Sequence, residues 1–372
     1  MASVTSSHPP SFWDRVWNRR NRNYFWAFLF ILPALINFAI FRYYPIVSAV
    51  WTSLWEYSLL GGYGDFVGLK HFIDAIGDPG FYPQLLLGLI PVLLIYLVFR
   101  LPAFKKNPAG KIARWALAIG LAAAAFLVWR RACLSLVETG DQYFWNSLWV
   151  TFKFVVMKVP PQIILSLFLA IMVQRESRSM GVVRSAIFTP VVTSMIVVAI
   201  LWSMMYHVQQ GLINSIIASL GFQRVAFLSD TTRALPSITV MNIWKDVGFT
   251  MIILMAGLKG IPGVYYEAAV VDGANRWQMF WRITVPLLQR VLLFVIVTQT
   301  IFAFQVFVPV YALVRPPGGP RNTTEAIVYY IYKNGFRLQR MDYASALAVI
   351  LSFIILIISL VEMRLLRSEV EY

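Results

Sequence analysis

The sequence predicts an all-α membrane protein with about eight transmembrane helices. Composition is the first reason: 59% of the 372 residues are hydrophobic and 13% are charged, whereas a soluble protein carries about 25% charged residues. The second reason is the number of apolar stretches that are long enough to cross a bilayer, which takes roughly 20 residues each. The third is the distribution of Lys and Arg, which favours a cytoplasmic location for both termini.

Eight apolar stretches qualify as spans, and they account for most of the chain. The stretches 84–101 and 113–130 are short, so they form either a transmembrane hairpin or a buried hairpin that does not cross. Pro91 does not forbid a span, because packed membrane helices tolerate proline. The predicted spans are 24–45, 84–101, 113–130, 147–173, 185–206, 236–257, 288–311 and 344–363.

Lys and Arg are more frequent in the segments that lie on the same side as the N-terminus. Since cytoplasmic loops carry the excess of these residues, we expect that side to be the cytoplasm. A hairpin that did not cross would leave six spans and the same orientation. The net charge of +15 fits basic loops that face anionic membrane lipid. Nucleic acid is not an expected partner, because apolar runs separate the basic residues.

The predicted organisation contains no soluble domain, since the longest loops are too short for a core of their own. A membrane core with one long cytoplasmic loop follows a tail, a first span and the hairpin. The predicted segments are a cytoplasmic tail at 1–23, the first span and an outer loop at 24–83, the hairpin at 84–130, the core at 131–366 with its loop at 258–286, and a second tail at 367–372.

Motifs for catalysis are missing from the sequence. No G-x-x-x-x-G-K-[ST] phosphate loop is present, so the chain is not expected to hydrolyse ATP itself. One cysteine and three scattered histidines make a metal site improbable. There is no G-x-S-x-G nucleophile motif. We therefore expect a protein that is not an enzyme and that has no cofactor of its own.

The loop 258–286 carries the most informative pattern, LKGIPGVYYEAAVVDGANRWQMFWRITVP. It predicts two short helices. Pro262 suits the first position of a helix, Gly273 suits a left-handed C-terminal cap, and Asn275 can cap a second helix. Pro286 is expected to end that second helix.

Five aromatic residues lie in this loop outside the bilayer: Tyr265, Tyr266, Trp277, Phe280 and Trp281. Large apolar groups outside the bilayer require burial against interfacial lipid, the underside of the bundle or a partner subunit. On physical grounds alone, an amphipathic linker at the membrane surface explains them equally well.

The spacing of the loop resembles the signature of the permeases of binding-protein-dependent ABC importers, EAA-x3-G-x9-I-x-L-P. One position departs from it, since Val285 replaces leucine. We refer to residues 258–286 as the EAA loop. The matching residues are Glu267, Ala268, Ala269, Gly273, Ile283 and Pro286.

This resemblance implies how the protein is driven. The EAA loop would dock on an ATP-binding subunit, with Glu267 as a charged contact and Gly273, after Asp272, turning the chain between the two helices. ATP and Mg²⁺ would be bound by that partner. The implied assembly has a second homologous permease, two ATP-binding subunits and an extracytoplasmic solute-binding protein, in the inner membrane of a bacterium or archaeon. The implied fold is a six-span type I ABC importer core, here with the extra hairpin.

Further residues narrow the resemblance to carbohydrate-uptake permeases, of the maltose- or glycerol-3-phosphate-type first subunit. They lie at 242–245 (NIWK), 316–320 (PPGGP) and 343–347 (YASAL). Arg315 and the two prolines after it stand where these permeases usually have Asn or Thr. The hairpin looks like an insertion into their six-span plan.

The resemblance places a substrate path near the middle of the two spans that flank the EAA loop. Polar and aromatic residues share one face of each span there, and amide and aromatic groups suit sugars. The alternative is that these groups only hold the helices together. The candidate residues are Asn242, Lys245, Asp246, Phe249, Gln299, Phe302 and Gln305.

Other charged residues leave alternatives open. Lys153 and Lys158 are expected to extend towards the membrane surface. The basic segment from Arg315 to Arg340 either contacts the solute-binding protein, favours an anionic solute, or is simply solvated. A rival function is a stand-alone secondary transporter or channel driven by protonation of Lys245 and Asp246.

Overall fold

The computed structural model describes residues 19–77, 87, 89–91, 93–95, 108–174 and 177–366, and these are mostly helical. A π-helical stretch, Ala39–Tyr43, joins the first two helices, and a short β-hairpin follows them. The elements before the core are α1 (Arg19–Phe38), α2 (Tyr44–Thr52), β1 (Trp55–Ser58), β2 (Gly62–Phe66), α3 (Lys70–Ile76) and α4 (Pro108–Thr139).

The core elements are α5 (Gln142–Val173), α6 (Arg178–Val192), α7 (Met195–Met205), α8 (Leu212–Ser219), α9 (Ala234–Lys259), α10 (Val264–Val271), α11 (Arg276–Met279), α12 (Val285–Leu287), α13 (Gln289–Phe304), α14 (Val308–Leu313), α15 (Ile327–Tyr332) and α16 (Met341–Leu365).

Four described helices are long and apolar enough to cross a membrane, and two bent pairs raise the number to six. The pair α6 and α7 is bent by 100°, and the helix that ends at Leu287 is bent by 68° from α13. The predicted span 84–101 and both predicted tails lie wholly or largely outside the described residues. The predicted span 113–130 falls within α4, whose apolar part, Trp115–Val128, is shorter than a full span.

Helix α5 lies at the centre of the bundle and packs against α9, α13 and α15. Apolar residues spaced at helical intervals on these elements form two buried clusters, one around Phe154 and Ile238 and one around Met251 and Leu288. Helices α6 and α9 approach closely at Gly248, where an added Cβ would lie 2.4 Å from the Ile187 carbonyl oxygen. The close packing fixes the depth at which polar residues of α5 and α9 meet.

The predicted span 288–311 is wrong in its extent. Helix α13 ends at Phe304, and the chain breaks before resuming as the short helix α14. Pro309 stands at the start of α14, where its missing N–H leaves no hydrogen bond unmade. Irregular backbone at membrane depth is stable where protein buries it or where it lines a cavity. The break after α13 lines a cavity.

The predicted outer loop 312–343 is only partly solvated. Arg315, Arg321 and Arg337 are exposed, as expected of a basic loop. The stretch between them packs into the bundle, where the Ile327 N–H donates to the Thr151 hydroxyl at 2.8 Å. Glu325 is buried and pairs with Lys333 at 3.0 Å. The reason is the apolar run from Ala326 to Tyr332, which covers α5.

Candidate functional site

The EAA loop folds as two helices joined by a tight turn, as predicted. Gly273 has a φ of +76°, the left-handed region that favours glycine. The Gly273 N–H bonds to the Val270 carbonyl and the Ala274 N–H to the Ala269 carbonyl, at 3.0 and 2.9 Å, which forms a Schellman cap. Asn275 begins the second helix with a capping box.

Two proline predictions in this loop need correction. Helix α10 begins at Val264 with Gly263 as its N-cap, so Pro262 precedes the helix instead of occupying its first position. Pro286 does not end the second helix, which continues to Leu287 and bends only at Leu288. A π-helical stretch just before Pro286 shifts the hydrogen-bond pattern, and such shifts let a helix accommodate local disruption.

The loop presents an exposed face that mixes charge and apolar surface. Glu267, Ala268, Asp272 and Gly273 are exposed, whereas Ala269, Ile283 and Pro286 are wholly or partly buried. The exposed apolar residues of the loop include Val264, Val271, Trp277 and Trp281, which are 70%, 87%, 69% and 52% exposed.

Tyr266 joins the two loop helices, because its hydroxyl lies 3.0 Å from the Thr284 hydroxyl. Its ring packs against the apolar cluster around Leu288. The underside of the bundle therefore takes Tyr266 but leaves the tryptophans uncovered. Exposed apolar side chains of this kind are typical of a docking site.

The predicted substrate-path residues, except Lys245, line one cavity of about 290 Å³. Helices α5, α9 and α13 contribute to its walls, and the junction of α6 and α7 and the break after α13 contribute the remaining sides. The predicted residues in its lining are Asn242, Asp246, Phe249, Gln299, Phe302 and Gln305.

An ion pair that the sequence did not predict lies in this lining. Lys158 Nζ donates to Asp246 Oδ2 at 2.7 Å, and the lysine side chain is only 3% exposed. The prediction that Lys158 extends to the membrane surface is wrong, because its partner Asp246 holds the ammonium inside the bundle. Lys153 is exposed and rests over the Trp149 ring.

The amide of Gln162 extends the polar network beside the cavity. Its Nε2 donates to Gln299 Oε1 at 3.0 Å and to Thr250 Oγ1 at 2.9 Å. The spacing of polar residues in α5 could have predicted this network. Lys158, Gln162 and Ser166 recur at intervals of four residues and lie on one buried face of the helix. The predicted path considered only the spans beside the EAA loop and missed this third wall.

Lys245 and Asp246 have different partners. Its Nζ donates at 3.2 Å to the carbonyl of Val191, in the last turn of α6 where the chain bends towards α7. A cation at the C-terminus of a helix bonds its free carbonyls and complements its dipole. Lys245 therefore stabilises the bend, and Asp246 has Lys158 as its partner instead.

Comparisons with known proteins agree with this architecture. A family model described as "Binding-protein-dependent transport system inner membrane component" matches residues 162–368, more than half of the chain. The arabinooligosaccharides transport system permease protein AraP of Bacillus subtilis is 26% identical over 92% of this chain and 88% of its own length. The trehalose/maltose transport system permease protein MalF of Thermococcus litoralis is 33% identical over 60% of this chain and 75% of its own length.

Solved structures show the same fold. A bacterial ABC transporter that imports the acidic polysaccharide alginate contains a chain with a TM-score of 0.69 at 21% identity, covering 96% of this chain and 100% of that chain. A bacterial alginate ABC transporter has also been solved in complex with an alginate pentasaccharide-bound periplasmic protein, with a TM-score of 0.65 and 21% identity over 96% of this chain and 99% of that chain. This chain is a multi-pass membrane protein that belongs to the family of binding-protein-dependent transport system inner membrane components, the permeases of ABC transporters.

Proposed function

We propose that this chain is the permease subunit of an importer that moves a sugar, an oligosaccharide or a related polyol into the cytoplasm. Family membership carries the permease role. The relatives AraP and MalF are named as permeases for arabinooligosaccharides and for trehalose and maltose, which supports a carbohydrate substrate. The cavity supports it independently, because its amide groups suit hydroxyls and its phenylalanines suit the C–H faces of sugar rings.

ATP hydrolysis in separate subunits drives transport in this proposal. The observation that carries it is the exposed face of the EAA loop, because the helix that bears the uncovered tryptophans continues to Leu287 and meets α13 at the bend. A partner that pushed on this face would move α13 directly, and α13 lines the cavity. Closure of two ATP-binding subunits, which bind ATP and Mg²⁺, would thus bias two states of the bundle.

The proposed assembly pairs this chain with a second homologous permease, two ATP-binding subunits and an extracytoplasmic solute-binding protein. In this proposal the hairpin that the sequence predicts at 84–130 adds two spans to a six-span core. The chain then has eight spans, with both termini in the cytoplasm. The excess of Lys and Arg on that side supports this orientation. The proposed location is the inner membrane of a bacterium or archaeon.

A stand-alone transporter driven by Lys245 and Asp246 finds less support. That rival needs the two groups to share a proton, but Lys245 bonds a backbone carbonyl and Asp246 bonds Lys158. The two groups are therefore not paired with each other in the structure.

The variant Glu267→Lys tests the coupling role in the purified complex, reconstituted in proteoliposomes with its solute-binding protein. We expect the variant complex to lose sugar-stimulated ATP hydrolysis and uptake, because the reversed charge opposes docking. Glu138→Lys is the matched control, since Glu138 is also exposed but lies on α4, far along the chain from the EAA loop. Normal ATP-dependent uptake by Glu267→Lys would refute the proposed docking contact.

A further inference from the structure

The cavity has a balanced charge. Among the described residues that line it, Lys158 and Asp246 are the charged ones, and they are bonded to each other at 2.7 Å. The Lys158 ammonium therefore has a counterion already, and the pair adds no net charge to the lining of the cavity. Lys245, on the neighbouring face of α9, is held by the Val191 carbonyl.

The two members of the pair are unequally accessible. The side chain of Lys158 is 3% exposed and that of Asp246 is 29% exposed. A solute thus approaches the carboxylate, while the ammonium lies behind it. A second carboxylate brought to this position would be repelled, because like charges at short range in a partly desolvated site destabilise each other.

One polar atom beside the cavity favours a hydrogen-bond donor. Asn242 Oδ1 is a buried acceptor without a partner in the described part of the chain. Gln305, at the C-terminal end of α13, can both donate and accept and does not discriminate in this way. Hydroxyl groups can donate to an acceptor such as Asn242 Oδ1, whereas an ionised carboxylate only accepts. Charge repulsion and hydrogen bonding therefore both favour a neutral, hydroxyl-bearing solute over one that carries a carboxylate.

We propose that the Lys158–Asp246 pair makes this site select uncharged, hydroxyl-rich solutes against solutes that carry a carboxylate, such as uronic acid residues. The inference rests on the proposed function and specifies its substrate class. Asp246 supplies the repulsion, and Lys158 is the latent anion site that Asp246 keeps occupied. Replacing Asp246 with a neutral amide would free the ammonium to bind the carboxylate of a uronate.

Binding to the purified importer complex, without the solute-binding protein, tests the inference. The probes are maltotriose, arabinotriose and galactotriose, each beside an analogue in which one primary alcohol is oxidised to a carboxylate. Calorimetry at pH 7 gives the Kd of each member of a pair. For the wild type we expect the neutral sugar of at least one pair to bind about tenfold more tightly than its uronate, the scale of one charge-assisted contact.

Three variants define the outcome. Asp246→Asn should lower or reverse the preference by about tenfold or more. The double variant Lys158→Met with Asp246→Asn should bring the two Kd values close together, and it avoids the unpaired ammonium that could prevent assembly of the single variant. Lys153→Gln, an exposed lysine on the same helix, should leave the preference unchanged.

Each negative result would contradict a different part of the proposal. Equal or tighter binding of uronates by the wild type would overturn the charge selection and leave the carbohydrate proposal standing. An unchanged preference in the double variant would overturn the role of the pair. Binding of none of the six trisaccharides by the wild type would contradict an oligosaccharide substrate, and the inference with it, and would restrict the proposed function to smaller sugars and polyols.

Discussion

The buried ion pair gives a stability prediction with a specific asymmetry. Asp246→Asn leaves the Lys158 ammonium almost fully buried without its counterion, whereas Lys158→Met leaves a carboxylate that is 29% exposed to the cavity. Removing one partner of a buried pair costs roughly 3–5 kcal/mol, and we expect Asp246→Asn to approach that range. Lys158→Met should cost less, about 1–3 kcal/mol, because water in the cavity still reaches Asp246.

The double variant completes this prediction. With both charges gone and the methionine filling the space of the lysine stem, stability should return to within about 1 kcal/mol of the wild type. The double-mutant cycle should then give a coupling energy of at least about 2 kcal/mol. Equilibrium unfolding of the chain in mixed micelles, titrated with a denaturing detergent, measures all four proteins. Lys153→Met is the control for loss of a lysine from α5.

Additivity would refute this reasoning. If the two single variants were equally destabilised and the double variant were destabilised by their sum, Lys158 and Asp246 would not be paired in the folded protein. The cavity would then have no balanced charge.

Three further predictions concern single positions. Gly248→Ala should lower the free energy of unfolding by about 1–3 kcal/mol, because its Cβ would meet the Ile187 carbonyl oxygen at 2.4 Å. Gly181→Ala on α6 is the control, since its Cβ meets nothing within 4 Å. It should leave the free energy of unfolding unchanged or raise it slightly. Gly273→Ala should strain the left-handed cap by about 1 kcal/mol and lower sugar-stimulated ATP hydrolysis, and an unaltered rate would argue against a role for the cap in coupling. Gln305→Ala should change the relative Kd values of the trisaccharide panel, and an identical profile would remove Gln305 from the site.

The features that local chemistry determines were predictable. The turn at Gly273 and the cap at Asn275 depend on residues within a few positions of each other, so their spacing was sufficient to predict them. The long apolar helices α5, α9 and α16 correspond to predicted spans for the same reason. The clustering of Asn242, Asp246 and Gln299 on helical faces also follows from periodicity.

The features that depend on distant contacts were not predictable. The partner of Asp246 lies 88 residues away on α5, and no spacing rule links the two positions. Packing on α5 likewise buries Glu325 and the apolar run after it, in a segment for which a solvated loop was one of three alternatives. The bend at Leu288, instead of Pro286, depends on how the π-helical stretch distributes its hydrogen bonds.

The central claim is that this chain moves a carbohydrate by coupling through the EAA loop to separate ATP-binding subunits. Proteoliposomes containing the full complex, with the solute-binding protein on one side and ATP on the side of the EAA loop, test it most directly. We predict accumulation of a neutral oligosaccharide only when ATP and both ATP-binding subunits are present. Accumulation by this chain and its partner permease without the ATP-binding subunits, driven by an ion gradient, would contradict the claim.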